Sequence, residues 1–135
     1  MKKLILILLF PIFSNAQYSE AMLFQNNIRD YYNLNPYVID DDLSKKAQEW
    51  ANYIAMTDQF DLSPDTLGET IYYFRKLNNI RPENMFLDAA VSWVVDADEA
   101  SFNQTVCENC SSIGYGKAEN MEYIYIVAKY DKLWQ

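Results

Sequence analysis

Eight residues near the C-terminus, Tyr123 to Tyr130, form an almost unbroken run of Tyr, Ile and Val. A strand with one wet face alternates apolar and polar residues. A run this apolar is expected of a strand buried on both faces. Ile113 to Lys117 reads as its partner, joined to it through the hairpin signal Glu119-Asn120. Glu69 to Phe74, entered through Gly68, reads as a further strand.

Helical spacing supplies the rest. Between Ser19 and Tyr32, Ala21, Phe24, Ile28 and Tyr31 or Tyr32 recur at helical intervals, with Ser19 as the expected N-cap. Asn33-Leu34-Asn35-Pro36 ends that helix. Asp40, Asp41 and Asp42 supply cap and first-turn charge for a second helix, whose apolar face is Leu43, Ala47, Trp50, Ala51 and Ile54. Thr57 to Leu67 reads as a polar loop. Pro82 fits the first turn of a third helix with Phe86, Ala89 or Ala90, Trp93 and Ala97 on one stripe. Phe102 to Cys107 reads as a short fourth helix. This order points to an α+β domain with helices covering a mostly antiparallel sheet.

The N-terminus reads differently from the rest. Met1-Lys2-Lys3 is a positive start, Leu4 to Phe13 a short apolar run, and Ser14-Asn15-Ala16 a small-x-small site. This is the pattern of a signal peptide over residues 1–16, removed before Gln17. The run is shorter than the roughly 20 residues a membrane helix needs. Residues 17–135 then form a single domain of the usual size. Losing Lys2 and Lys3 takes the formal charge from −8 to −10. So acidic a chain is poorly suited to nucleic acid or to an anionic membrane surface. The high tyrosine content suits a core and half-buried sheet.

Only two cysteines occur, Cys107 and Cys110. In an oxidising compartment their default is a disulfide, and a spacing of three near a helix end can bring their Cα atoms into range. A zinc site is disfavoured, because no histidine exists to complete one. Asn103-Gln104-Thr105 and Asn109-Cys110-Ser111 are N-glycosylation sequons, Asn109 being the better candidate.

Four blocks follow one another in a fixed order: Asn26 to Gln48, Leu62 to Thr70, Ala90 to Asp96 and Ser101 to Ala118. In the first, Gln25, Asn26, Arg29, Pro36, Leu43, Ala47 and Gln48 fit a His-Asn-x-x-Arg helix and its Pro-Leu turn, with Gln25 in place of His and Tyr37 in place of Leu. The second holds Leu62-Ser63 and Gly68-Glu69-Thr70, the third Trp93-Val94-Val95-Asp96. The fourth reads Ser101-Phe102-Asn103-Gln104-Thr105-Val106-Cys107 and then Gly114-Tyr115-Gly116. Together they resemble the CAP superfamily, the secreted domain of cysteine-rich secretory proteins, antigen 5 and plant pathogenesis-related 1 proteins. All three glycines of the chain fall on matching positions.

The resemblance implies a three-layer α-β-α sandwich with a central cavity. In the family two histidines and two glutamates gather there and can hold a divalent metal. The matching positions here are Leu62, Glu69, Asp96 and Ser101. Leu62 cannot ligate, and a serine hydroxyl is a poor ligand for a borderline metal. No metal or other cofactor is therefore expected, and histidine base catalysis is excluded. Glu69, if buried, must be hydrogen-bonded or neutralised, so a structural tie between loops is favoured over catalysis. For Arg29 the favoured reading is a surface or inter-helix salt bridge.

The expectation is thus a secreted, extracellular, non-enzymatic binding or effector module. Its ligand would be a lipid or sterol, or an extracellular protein partner. The alternative is a carboxylate-dependent hydrolase of peptide or glycan using Glu69 and Asp96 as acid and base.

Overall fold

A computed structural model of the chain describes residues 17–77, 83–95 and 98–135. The expected signal peptide, Pro82, Asp96 and Ala97 lie outside the described residues.

The elements follow as α1 (Ser19–Tyr31), β1 (Val38–Ile39), α2 (Asp41–Thr57), β2 (Gly68–Arg75), α3 (Met85–Val95), α4 (Glu99–Thr105), β3 (Ser112–Glu119) and β4 (Tyr123–Tyr130). The four strands form one sheet in the order β1-β3-β4-β2. β4 is antiparallel to both neighbours, and only β1 runs parallel to its partner, β3. Helix α2 packs on one face, against β3 and β4. The layer formed by α1, α3 and α4 covers the other. The result is the expected three-layer α-β-α arrangement.

β4 justifies its composition. Ile124, Ile126, Ala128 and Tyr130 point into the larger core, with Phe86, Ala89, Ala90 and Trp93 from α3. Tyr125 and Val127 point the other way, onto Ala47, Ala51 and Ile54 of α2. Side chains alternate across a strand, so the two cores are lined by alternate residues of one run.

The α2 layer sits close against the sheet. A Cβ at Gly114 would fall on the α2 backbone at Leu43 and Ser44, and one at Gly116 on the backbone at Ala47 and Gln48. No glycine has a positive φ. These two are needed for close approach of helix and strand rather than for a turn conformation.

Helix α2 starts as expected: Asp40 Oδ1 accepts from Leu43 N–H at 3.0 Å. Several boundaries differ from expectation: α3 begins at Met85, past the Pro82 expected in its first turn, and α2 runs on to Thr57, expected in the loop. Ser19 is the first residue inside α1, and the position before it is Tyr18, with no side-chain cap. Helix α4 begins three residues earlier than the apolar pattern indicated, because Asp98 caps it through Ser101 N–H at 2.9 Å. The two-residue strand β1 has no sequence pattern. It exists because Val38 N–H and Asp40 N–H reach the carbonyls of Ser111 and Ile113.

Candidate functional site

Glu69 is the second residue of β2 and stands directly opposite Lys129 of β4. Both side chains belong to the α2 face of the sheet, and both are almost wholly buried, at 3 % and 1 % exposure. Lys129 Nζ lies 2.7 Å from Glu69 Oε1 and 2.7 Å from Asp65 Oδ2, and it also donates to Ser63 Oγ. Ser63 in turn holds Glu69 with both its groups: the hydroxyl donates to Oε1 at 2.6 Å and the backbone N–H to Oε2 at 2.9 Å. Glu69 therefore joins the loop before β2 to the centre of the sheet. This is the structural carboxylate expected from sequence, with a cation that sequence reasoning passed over. One signal pointed to Lys129. It is the sole charged residue in a strand otherwise apolar on both faces, and a buried ammonium requires partners.

Asp65 completes the cluster. Burial pushes its carboxyl upward, but hydrogen bonds from Lys129 and the Leu67 N–H outweigh it and hold the group below its ordinary value.

Beside the cluster lies a small cavity of about 180 Å³, walled by Leu62, Ser63, Glu69, Ala100, Gln104 and Trp134 among others. Gln104 closes it against the C-terminal segment. Its Nε2 donates to the Lys132 carbonyl at 2.9 Å and its Oε1 accepts from Trp134 N–H at 3.1 Å. Of the four positions expected to share a cavity, Leu62 and Glu69 do, although Leu62 is 67 % exposed at the rim. Ser101 is adjacent in sequence to Ala100 but is not among the lining residues. Asp96 lies outside the described residues.

A metal ion of the kind the resemblance implies does not fit these residues. Leu62 has no donor atom, and Ser101 does not line the cavity. Glu69 already faces an ammonium at 2.7 Å, which a divalent ion on the same carboxylate would meet as a like charge. Among the described residues no three acidic or cysteine side chains converge.

Arg29 proves to be neither a surface residue nor a salt-bridge partner of a described carboxylate. It is buried to 1 % exposure, with its charge met by carbonyl oxygens. Nε donates to Asn35 at 2.7 Å, Nη1 to Thr105 and Cys107 at 3.0 and 2.9 Å, and Nη2 to Cys110 at 3.2 Å. The guanidinium also lies 3.9 Å from the centre of the Tyr37 ring. Five donors in a fixed fork suit such a ring of acceptors. They fasten α1 to the segment after α4, where Cys107 and Cys110 form the expected disulfide. Asn109 is exposed on that segment, whereas Asn103 lies half-buried in α4.

Gln25, in the position the resemblance gives to a histidine, is also fully buried. It accepts from the Tyr115 hydroxyl and donates to Tyr130 Oη at 3.1 Å and Thr105 Oγ1 at 3.4 Å. Thr70 Oγ1 meets the same Tyr130 hydroxyl at 2.9 Å. The network crosses the larger core from α1 to β2, β3, β4 and α4. Burial pushes the Tyr130 hydroxyl up to about 12 and raises Tyr37 and Tyr115 as well.

Helix order, sheet order and the position of Glu69 define a CAP-type sandwich, and comparison with known proteins agrees. Residues 23–130 match the CAP family, described as the cysteine-rich secretory protein family. The chain belongs to that family. Its fold resembles that of MpPR-1i, with a TM-score of 0.65 at 22 % identity over 93 % of this chain and 90 % of the other. It also resembles NaASP2, solved with Zn²⁺, with a TM-score of 0.70 at 14 % identity over 84 % of this chain and 78 % of that one. The venom allergen-like protein 4 of Schistosoma mansoni gives 0.63 at 14 % identity, over 90 % and 92 % of the two chains. A search of the curated proteins returns no match.

Proposed function

We propose that this chain is a secreted, non-enzymatic binding or effector module that engages a lipid, a sterol or an extracellular protein through its surface rather than through central-cavity chemistry. The observation that carries this reading is the Glu69–Lys129 pair at 2.7 Å. Glu69 is the described member of the acid pair that the hydrolase reading needs. Its oxygens are already engaged by the Lys129 ammonium and by the hydroxyl and backbone N–H of Ser63. A general acid or base must exchange a proton with substrate, and no freely positioned proton carrier is available at Glu69. The residual cavity of about 180 Å³ is also below the 300 to 1,000 Å³ of ordinary small-molecule sites. Family membership favours the same reading, since CAP proteins are generally non-enzymatic.

Secretion is supported by the pattern of residues 1–16 and by the disulfide, which suits an oxidising compartment. Among the described residues no helix is long and apolar enough to cross a membrane. The test has two arms. Expression of the full chain in a secreting host, with N-terminal sequencing of the product, should give material starting at Gln17. That material should bind a sterol or fatty-acid probe, or capture a partner from extracellular fluid, at micromolar concentration, and Glu69→Gln should retain the binding. Retention inside the cell, or the absence of any ligand in either assay, would overturn the proposal.

A further inference from the structure

The α2 face of the sheet carries a second feature at its other end. Four rings close on one another there. Phe60 and Tyr73 have centroids 4.9 Å apart, Tyr73 and Tyr123 5.9 Å, Tyr123 and Tyr125 5.8 Å, and Tyr125 and Phe60 6.2 Å. They floor an open groove of about 750 Å³ between the end of α2, the loop after it and the β3–β4 hairpin. Tyr73 follows Glu69 on the same face of β2, so the groove lies about 13 Å along the strand from the Glu69 cluster.

The walls combine three kinds of group. Met56 and Met121 are 80 % and 95 % exposed. Flexible thioethers at a surface adapt to aliphatic side chains of varied shape. Asp58 and Glu122 add two carboxyl groups, and among the described residues no lysine or arginine lines the groove. Lys76, close by, is committed to Glu119 Oε1 at 3.4 Å and the Asn120 carbonyl at 2.6 Å. Arg75, the next residue on the Tyr73 face of β2, stands opposite Tyr123 in the ladder and is not itself a lining residue.

These groups favour one kind of occupant. Tyrosine and phenylalanine faces attract cations, and so do the two carboxylates. A hydrocarbon chain would leave both carboxylates against apolar matter, which is unfavourable. An anionic headgroup would meet like charge. We propose that this groove binds an arginine-bearing amphipathic segment of a protein partner: guanidinium groups over the rings and against Asp58 and Glu122, aliphatic side chains against the two methionines. The proposal rests on the binding-module reading and names its partner chemistry. The acidity of the whole chain favours encounter with such a segment.

The test is a calorimetric titration of the folded mature protein with a synthetic peptide alternating arginine and leucine. Its counterpart carries citrulline, neutral and of the same shape, at every arginine. The arginine peptide should bind, and the citrulline peptide should bind at least about tenfold more weakly, which corresponds to about 1.4 kcal/mol of lost charged contact. Asp58→Asn with Glu122→Gln should weaken the arginine peptide to a similar degree. Asparagine tolerates the left-handed backbone of residue 58 (φ 55°), and its amide oxygen can still accept from Asn120 Nδ2, as Asp58 Oδ1 does at 2.6 Å. Asp41→Asn with Asp42→Asn, the same charge change at the far end of α2, should leave binding unaltered. Equal loss in both double variants would reveal general attraction to an acidic protein, and equal binding of the citrulline peptide a purely apolar groove. Either outcome overturns the proposal, as does no binding at all. If the arginine peptide fails while a sterol probe binds, only the groove assignment falls. If nothing binds, the binding-module reading falls with it.

Discussion

Lys129 Nζ and Glu69 Oε1 stand 2.7 Å apart across the β2–β4 ladder, at the one cross-strand position of the α2 face where both partners are charged. Neither residue can be changed alone without leaving the other buried with less than it needs. Lys129 is the more critical of the two, because it neutralises both Glu69 and Asp65.

Lys129→Met is therefore expected to destabilise the fold by about 3 to 5 kcal/mol, the usual consequence of stranding a buried charge. Glu69→Gln should cost less, about 1 to 2 kcal/mol, since Lys129 keeps Asp65 and the amide can still accept from Ser63. The double variant should recover part of the lysine loss. Urea denaturation of the three proteins measures this. A Lys129→Met protein as stable as the parent would show that the pair does not hold the loop to the sheet.

Arg29→Lys offers a second measurement. One ammonium cannot reach four separated carbonyls, so Asn35, Thr105, Cys107 and Cys110 would compete for three donors. The expected loss is about 2 to 3 kcal/mol, from buried acceptors left unmade. Hydrogen exchange should quicken in residues 105–111 more than in the α2 layer. Uniform quickening throughout the chain would argue against a local anchor.

The layer contact at Gly114 predicts its own cost. Gly114→Ala forces a methyl group onto the α2 backbone, and the helix must move as a body. Overpacking of this kind costs about 1 to 3 kcal/mol or more. Near-UV circular dichroism should report disturbed packing of the α2 layer with strand content retained. An alanine variant of unchanged stability would mean that the helix stands further from the sheet than described.

Stability should fall at both extremes of pH, for opposite reasons. Burial alone would raise the Asp65 and Asp131 carboxyls, but Lys129 acting on the first, and the Ser111 and Ser112 N–H groups on the second, depress both. A depressed acid stabilises the fold above its unfolded value, near 4, and that contribution is lost as pH falls through the folded value. Tyr130 behaves in the opposite sense, raised by burial to about 12. Its contribution is complete below pH of about 10, the unfolded value, and disappears as pH rises toward 12. Denaturation midpoints followed from pH 2 to 12 should show both limbs. Asp131→Asn should flatten the acid limb, and an unchanged acid limb would count against this assignment.

Much of the layered fold was legible before any coordinates. The uniformly apolar run of β4 implied cover on two sides, and the three aspartates before Leu43 located the start of α2 to within a residue. Both are local signals, carried by residues close together in the chain. β1 and the early start of α4 were not legible. The first depends on carbonyls more than seventy residues away, and the second on a single cap at Asp98 against a weak apolar pattern.

The site divides along the same line. That Leu62 cannot ligate, that histidine chemistry is absent, and that a buried Glu69 needs partners all follow from side-chain chemistry alone. Which partner Glu69 takes is a matter of strand register, and register relates residues sixty positions apart. A shift of one residue would turn Lys129 to the opposite core and leave the carboxylate unanswered. The same holds for Arg29, whose type was plain in the sequence. Its solvation by four carbonyls arose only when α1 and the disulfide segment were packed together, since a long side chain on a helix takes whatever acceptors the neighbouring backbone presents.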